Sequence, residues 1–158
     1  MYWSAEGYIE RAELDGLNRR IIASLGETYY GSTIDARGLT LDHEMNRLYF
    51  VSYFEYALLY IDLDSGSHSV QVMLRNFLLF WDPFGVAVDD KYVYWNEYSL
   101  FGWVFRINKN DTSDYDLFLH GLYDPRGLAV KKGNYTRKSE YTFKKILKCH
   151  LQIGRAHV

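Results

Sequence analysis

The chain has 158 residues, of which 48% are apolar and 24% charged, with a net charge of −2 and a pI near 6.2. This length suits about one domain, and this balance excludes an intrinsically disordered protein. The slightly acidic charge excludes a basic nucleic-acid surface, and no apolar run approaches the roughly 20 residues of a membrane-spanning helix. Aromatic residues make up 18%, including fifteen tyrosines, which favours half-buried β-sheet.

Strand and turn patterns follow one another along the chain in three units. The first unit contains three predicted strands, at Met1–Ser4, Tyr8–Leu14 and Arg19–Ser24. The second contains four, at Arg37–Asp42, Arg47–Tyr53, Leu58–Leu63 and His68–Leu74. The third also contains four, at Phe84–Asp89, Lys91–Glu97, Trp103–Asn108 and Tyr115–Leu119. Four short strands per unit, separated by turn residues such as Asp64–Ser67, predict an all-β fold.

Two short phrases recur in these units. A tyrosine followed by a second aromatic residue occurs three times at spacings of 47 and 45 residues, as Tyr2-Trp3, Tyr49-Phe50 and Tyr94-Trp95. An apolar phrase containing a glycine also occurs three times, at Arg37–Asp42, Phe84–Asp89 and Arg126–Val130. A repeat of this period indicates small units that bury their faces against one another. Four antiparallel strands per unit are typical of the blades of a β-propeller.

The repeated residues have predicted structural roles. Gly38, Gly85 and Gly127 permit close approach of a neighbouring backbone. The Trp3 and Trp95 rings suit either ligand stacking or packing between sheets, and their alternation on a strand favours packing, which buries much apolar area.

The order of the phrases resembles the class B, or YWTD, repeats of low-density-lipoprotein-receptor-like proteins. Ile9–Arg20 resembles the middle phrase of that family, and Asp82–Val88 and Asp124–Val130 resemble its last phrase. In this sequence the Thr-Asp pair of the family is replaced by Ser4-Ala5, Val51-Ser52 and Asn96-Glu97. The resemblance implies a six-bladed β-propeller, with about three blades within residues 1–130.

The resemblance also implies function. We expect a non-catalytic segment of a cell-surface, single-pass receptor, with its signal and anchor outside these residues. Its partners would be a protein ligand of lipoprotein, growth-factor or matrix class, and neighbouring EGF-like or cysteine-rich modules. A secreted matrix protein of nidogen type carries the same repeats, and a secreted propeller hydrolase or lyase is a further alternative.

Both ends read as cut from a longer sequence. Met1 stands where Leu48 and Val93 stand, inside a strand. Residues 131–152 are expected to form a linker or the start of an EGF-like module, with Cys149 as its first cysteine or as a stray thiol. Residues 153–158 resemble a translated sequencing adapter and are expected to be a non-native tail.

A binding face is expected where second strands end and where one unit leads to the next, because propeller topology puts both at one face. Its residues are Glu6, Tyr53, Glu55, Trp81, Glu97, Tyr98, Tyr123, Asp124 and Arg126, and the same face would carry Tyr8, Phe54, Tyr56, Phe80, Asp82, Phe101 and Trp103. Aromatic groups among carboxylates suit a protein or peptide partner with basic and apolar groups.

The sequence shows no catalytic motif, metal-ligand spacing or phosphate loop, so we expect no cofactor and no enzyme. Two Asn-x-Thr sequons, at Asn110 and Asn134, are candidate glycosylation sites on the secretory route. Asn110 falls in a predicted surface turn.

Overall fold

A computed structural model of the chain describes residues 1–27, 31–98 and 102–130. These residues form eleven β-strands, and they contain no helix long and apolar enough to cross a membrane. The strands are β1 Tyr2–Ala5, β2 Tyr8–Arg11, β3 Arg20–Ser24, β4 Arg37–Asp42, β5 Arg47–Ser52, β6 Ala57–Asp62, β7 Val70–Arg75, β8 Pro83–Val88, β9 Tyr92–Glu97, β10 Trp103–Asn108 and β11 Asp111–Leu119. The all-β prediction is confirmed for this part of the chain.

The strands form three antiparallel sheets. The first has three strands in the order β1-β2-β3, the second has four in the order β4-β5-β6-β7, and the third has four in the order β8-β9-β10-β11. Each strand pairs with the next strand along the chain, so the connections within a sheet are short hairpin turns. The three predicted units therefore correspond to the three sheets.

The second sheet lies between the other two, and its side chains alternate between two apolar cores. Leu48 and Phe50 of β5 pack with Ile9 of the first sheet. Tyr49 and Val51, on the opposite face of the same strand, pack with Val93 and Trp95 of the third sheet. Because β5 is covered on both faces, its residues are apolar almost throughout rather than alternating with polar ones.

The repeated aromatic residues therefore pack mainly between sheets. Tyr49, Phe50, Tyr94 and Trp95 are buried. Tyr2 packs against the core between the first and second sheets. Trp3 is half-buried, and the Arg19 guanidinium lies 5.4 Å from its ring centroid.

Two of the three repeated glycines permit the close approach expected of them. Gly38 has a φ of +52°, and a Cβ on it would lie 2.8 Å from the Phe84 carbonyl oxygen and 2.9 Å from the Val86 nitrogen. A Cβ on Gly85 would lie 3.1 Å from the Leu128 nitrogen. A Cβ on Gly127 would meet no atom within 4 Å among the described residues.

Buried polar side chains also hold the fold together. Asn96 of β9 accepts a hydrogen bond from the Gly85 N–H of β8, in the same sheet, at 2.8 Å, and donates one to the Pro125 carbonyl of the segment that follows β11. Lys109 of the third sheet reaches back to the second, where its Nζ donates to Asp42 at 2.8 Å and to Glu44 at 3.3 Å. Burial opposes ionisation of Asp42, but the Lys109 ammonium and two backbone N–H groups hold the pKa of this carboxyl below its usual value.

Several predicted bounds differ from the fold, among them the predicted strand Tyr8–Leu14, which ends at Arg11. Strand β11 begins at Asp111 rather than Tyr115, because Asp111 pairs with Asn108 of β10 and an irregularity in the register lies between this pair and Tyr115 with Ile107. The preceding turn is correspondingly short. Arg126–Val130, the third copy of the glycine phrase, forms no strand. Residues 131–158, with Cys149 and the expected tail, lie outside the described residues.

Candidate functional site

The candidate site lies at one end of the second and third sheets. Strand β5 ends at Ser52, and the turn 53–56 follows it. Strand β7 runs parallel to β5, since both are antiparallel to β6, so the segment 76–82 that leaves β7 begins at the same end of the sheet. The topology thus brings together two segments that the sequence separates by about twenty residues.

Five aromatic side chains from these two segments form a continuous row, which we call the end-face cluster: Phe54, Tyr53, Tyr56, Phe77 and Trp81. Neighbouring ring centroids are 5.3 Å apart for Phe54 and Tyr53, and 5.9 Å apart for Tyr53 and Tyr56. The row continues from Tyr56 to Phe77 at 6.0 Å and from Phe77 to Trp81 at 5.9 Å. The rings meet at angles of 53° to 87°, which are the tilted and edge arrangements that aromatic pairs prefer.

Much of this cluster remains in contact with solvent. Trp81 is 63% exposed, Phe77 53% and Phe54 44%, and the adjacent Leu78 is 70% exposed. Exposed apolar side chains are ordinary when they are scattered singly, but a contiguous group is typical of an interaction site. Tyr and Trp suit such a site because they bring a large contact area with few rotatable bonds.

Charged groups at the cluster are paired within the chain. The Arg37 guanidinium lies between two carboxylates, 2.8 Å from Asp35 and 2.7 Å from Asp82, and 5.0 Å from the Tyr53 ring centroid. Asp35 also accepts a hydrogen bond from the Ser52 hydroxyl at 2.7 Å. Arg37 therefore balances one of these two negative charges, and exposed aromatic area is the larger feature of this face.

A smaller group adjoins the end-face cluster. Arg126 pairs with Asp124 at 2.9 Å, and its guanidinium lies 4.9 Å from the Tyr98 ring centroid. The Tyr98 N–H donates to the carbonyl of Asp82, the residue after Trp81, at 2.8 Å. Tyr123 is exposed on the neighbouring segment. Of the expected face residues, the structure thus brings Tyr98, Asp124 and Arg126 together near Trp81.

Glu55 does not lie on the surface as expected. Its side chain is 5% exposed, and it is paired with Arg75 of β7. The Glu55 N–H also donates to the Ser52 hydroxyl at 3.2 Å. The ion pair joins the turn 53–56 to strand β7, so the Glu55 carboxylate lies beneath the end-face cluster rather than on its surface.

Glu97 is also interior, at 2% exposure, and the expectation that it is presented to a partner is wrong. Its Oε2 accepts the Asp82 N–H at 2.8 Å, and its Oε1 has no hydrogen-bond partner among the residues that the structure describes. Burial, with the Asp82 carboxylate adding to it, raises the pKa of Glu97 to about 8 against the opposing effect of the hydrogen bonds. Glu97 is therefore mainly a neutral acid at pH 7.

The remaining expected residues lie apart or in the interior. Glu6 is exposed in the turn between β1 and β2. Phe80 is fully buried, stacked on Trp95, and Trp103 is half-buried. Phe101 lies outside the described residues. Sequence analysis missed Phe77, although the unbroken apolar run Phe77–Trp81 after the polar Asn76 was a signal that some of its residues would be exposed.

The structure describes one of the two sequons. Asn110 is exposed in the two-residue turn between β10 and β11, and its N–H donates to the Asn108 side chain at 3.0 Å. Its amide is thus accessible to a glycosyltransferase on this surface turn. Asn134 falls outside the described residues.

The described part of the chain contains no group of three or more His, Cys, Asp or Glu residues arranged to hold a metal ion. Comparison with protein-family models and with curated proteins gave no match to this chain. The end-face cluster itself presents aromatic surface with paired charges, which suits recognition of another molecule.

Proposed function

We propose that the three sheets are blades of a β-propeller of the low-density-lipoprotein-receptor class B type, and that the end-face cluster binds a protein ligand. Two features support the architecture. Each sheet follows the hairpin order of a blade, and Gly38 lets the first strand of the second sheet approach the first strand of the third. The recurring phrases described above support the family.

The single observation that carries the binding role is the contiguous row of aromatic rings from Phe54 to Trp81, in which Phe54, Phe77 and Trp81 are exposed and Tyr53 and Tyr56 are half-buried. A row of this kind raises the free energy of the unbound protein by exposing apolar area to water. A partner that covers it recovers that free energy, and Trp and Tyr are the residues most enriched among those that dominate binding.

The partner is best described as a protein segment with apolar anchor residues and a basic group. The anchors would pack on Phe77 and Trp81. A basic group suits this face because Asp82 retains side-chain exposure beside Trp81 even though it is paired with Arg37. We place the protein outside the cell, as part of a receptor with adjoining EGF-like or cysteine-rich modules, where the sequon at Asn110 would be used.

A peptide selection tests the binding role. The full chain would be immobilised and a random displayed 12-residue peptide library selected on it, with Leu117→Ala as the matched control. Leu117 is 46% exposed and lies on β11, away from the end-face cluster.

We expect enriched peptides that carry aromatic or aliphatic residues with Lys or Arg. Their binding should be lost on Phe77→Ala and Trp81→Ala and retained on Leu117→Ala. Peptides that bind Trp81→Ala as well as the parent chain would contradict the proposed site.

A further inference from the structure

The tyrosine of each repeated aromatic pair begins a row of three residues that lie opposite one another on neighbouring strands of the same sheet. The rows are Tyr2, Arg11 and Arg20 in the first sheet; Tyr49, Tyr60 and Gln71 in the second; and Tyr94, Arg106 and Asp116 in the third. Side chains of directly opposed residues lie on one face of a sheet and interact. The three rows can therefore be compared position by position.

In the third sheet, the arginine of this row is neutralised within the chain. The Arg106 Nε donates to one oxygen of the Asp116 carboxylate at 2.7 Å, and its Nη2 donates to the other oxygen at 3.1 Å. This two-pronged geometry is the one that a guanidinium and a carboxylate prefer. The opposed residue of the neighbouring strand thus supplies the negative charge that the arginine needs.

In the first sheet, the corresponding position places one arginine opposite another. Arg11 and Arg20 are both exposed, and neither makes an ion pair with any residue that the structure describes. Like charges on directly opposed residues repel, which lowers the stability of a sheet. The Arg11 guanidinium is also held over the Tyr2 ring, 5.8 Å from its centroid. An anion between the two guanidinium groups would replace repulsion by attraction.

These two arginines border a hollow of about 400 Å³ at the end of the first sheet where β2 turns into β3. The other residues of its lining are Glu13, Asn18 and Arg19. All five belong to the β2–β3 hairpin, so the site is complete within residues 8–24, which the structure describes in full. A volume of this size lies in the range of small-molecule sites.

The charge of the hollow is positive. Arg19 is paired with Glu10, whose Oε1 accepts its Nη2 at 3.0 Å. The Glu13 carboxylate accepts the Asn18 side-chain amide at 2.9 Å and makes no ion pair with an arginine of the described residues. The three arginines of the lining thus exceed the two glutamates by one positive charge. An anionic ligand is therefore the kind that this hollow attracts.

We infer that Arg11 and Arg20 together bind the sulfate or phosphate ester group of a small polar ligand such as a sugar. In the third sheet, a single guanidinium already uses both oxygens of a carboxylate. Two guanidinium groups need more acceptors, and a sulfate or phosphate ester offers three terminal oxygens. The hollow also has room for the sugar that carries this group. The site uses no residue of the end-face cluster, so the inference does not rest on the proposed function.

A matched set of sugars tests which group is bound. Glucose 6-sulfate, glucose 6-phosphate and glucuronic acid carry a sulfate, a phosphate or a carboxylate at the same position of one ring. Each would be titrated into the full chain at low ionic strength, where exposed charges are least screened, and the side-chain N–H signals of Arg11 and Arg20 would be followed by NMR. We expect saturable binding of at least one ester, with glucuronic acid bound about tenfold more weakly, as the loss of one charge-assisted hydrogen bond predicts.

The two esters also distinguish the sources of the group. Preference for the sulfate would support a sulfated polysaccharide as the ligand, and preference for the phosphate would support a phosphorylated small molecule. Glucuronic acid bound as tightly as either ester would overturn the inference, because the site would then be one for carboxylates. Failure of both esters to bind saturably would overturn it as well.

A pair of charge-matched variants locates the binding. Arg20→Gln and Lys91→Gln each remove one exposed positive charge, and Lys91 lies between β8 and β9 of the third sheet. Arg20→Gln should weaken binding of the ester about tenfold or more, and Lys91→Gln should leave it unchanged. Equal losses in the two variants would show that the ester responds to overall charge rather than to this site, and the inference would fail.

Arg20→Asp tests the opposed arginines themselves, because it gives the first sheet the arginine–aspartate pairing of the third. Without ligand, its melting temperature should exceed that of Arg20→Gln by about 1–4 °C, since the opposed charges then attract. The bound ester should raise the melting temperature of the parent chain and not that of Arg20→Asp. If Arg20→Asp melts no higher than Arg20→Gln, the two arginines do not face each other and the inference is wrong.

Discussion

Two of the aromatic clusters in the described part of this protein, one in the interior and one at the end face, differ in geometry. In the interior, Trp95 is stacked between Phe80 at 4.8 Å and Phe105 at 5.4 Å, with interplanar angles of 12° and 19°. At the end face, the rings meet edge-on or tilted and remain partly in water. Phe80 and Trp81 are adjacent in sequence but belong to different clusters.

This difference shows that residue type does not decide the role of an aromatic side chain here. Trp95 lies on a central strand, where alternation directs it between sheets, and its Nε1 donates to the Leu79 carbonyl at 3.1 Å. Trp81 follows the last turn of a connecting segment, where no sheet covers it. The interior cluster contributes to stability, and the end-face cluster leaves apolar area exposed, which the proposed partner would cover.

Truncation of the interior ring should have the largest effect. Trp95→Ala removes a fully buried indole and leaves a cavity, so we expect a loss of about 3–5 kcal/mol in the free energy of unfolding. Trp81→Ala, measured in the same urea titration, should change it by less than about 0.5 kcal/mol. Similar losses for both variants would show that the two clusters do not differ as described.

The spacing of the sheets around the interior cluster gives the second prediction. Gly38→Ala places a Cβ against three backbone atoms at a residue with a positive φ. We therefore expect it to lower the free energy of unfolding by about 2–4 kcal/mol. Gly66→Ala is the control, because that glycine has open space and no positive φ; its effect should stay within about 1 kcal/mol. If thermal melting shows equal shifts for the two variants, the close approach of β4 and β8 is not tight.

The buried acid beneath the end face gives the third prediction. The pKa of Glu97 in the folded protein, about 8, is higher than the ordinary glutamate value of 4.5, so the folded state retains a proton that the unfolded state loses. The stability of the parent chain should therefore fall as the pH rises from about 4.5 to 8.

Glu97→Gln removes this titration while keeping a carbonyl oxygen for the Asp82 N–H. We expect the variant to be more stable than the parent by about 1–3 kcal/mol at pH 8, with the difference shrinking towards pH 4.5. Urea unfolding at the two pH values measures the difference. If the variant and the parent chain differed in stability by the same amount at both pH values, Glu97 would not be the titrating group.

The sequence predicted the sheets well because their core strands carry strong patterns. Strands β4 and β10 have the predicted bounds, and the three-strand first unit and four-strand second and third units are as expected. The first half of β11 was missed because Asp111 to Asp114 are polar and exposed, which gives no alternation. Arg126–Val130 has a strand pattern but no strand partner in the described residues, and a strand needs both.

The site could be predicted only in part. The topology of hairpins placed Tyr53 and Trp81 at the same end, as expected. The burial of Glu55 depends on Arg75, twenty residues away, and that of Glu97 depends on the backbone of Asp82. A single sequence does not show such long-range partners, so it cannot separate a surface carboxylate from a buried one.

Calorimetric titration of a selected peptide into the parent chain and two variants tests the central claim most directly. The account predicts that Trp81→Ala weakens binding by roughly 30-fold or more, as expected for a residue that dominates an interface, while its melting temperature is unchanged. Leu117→Ala should bind like the parent chain. Unchanged affinity for Trp81→Ala would contradict the account, because the end-face cluster would then not be the binding surface.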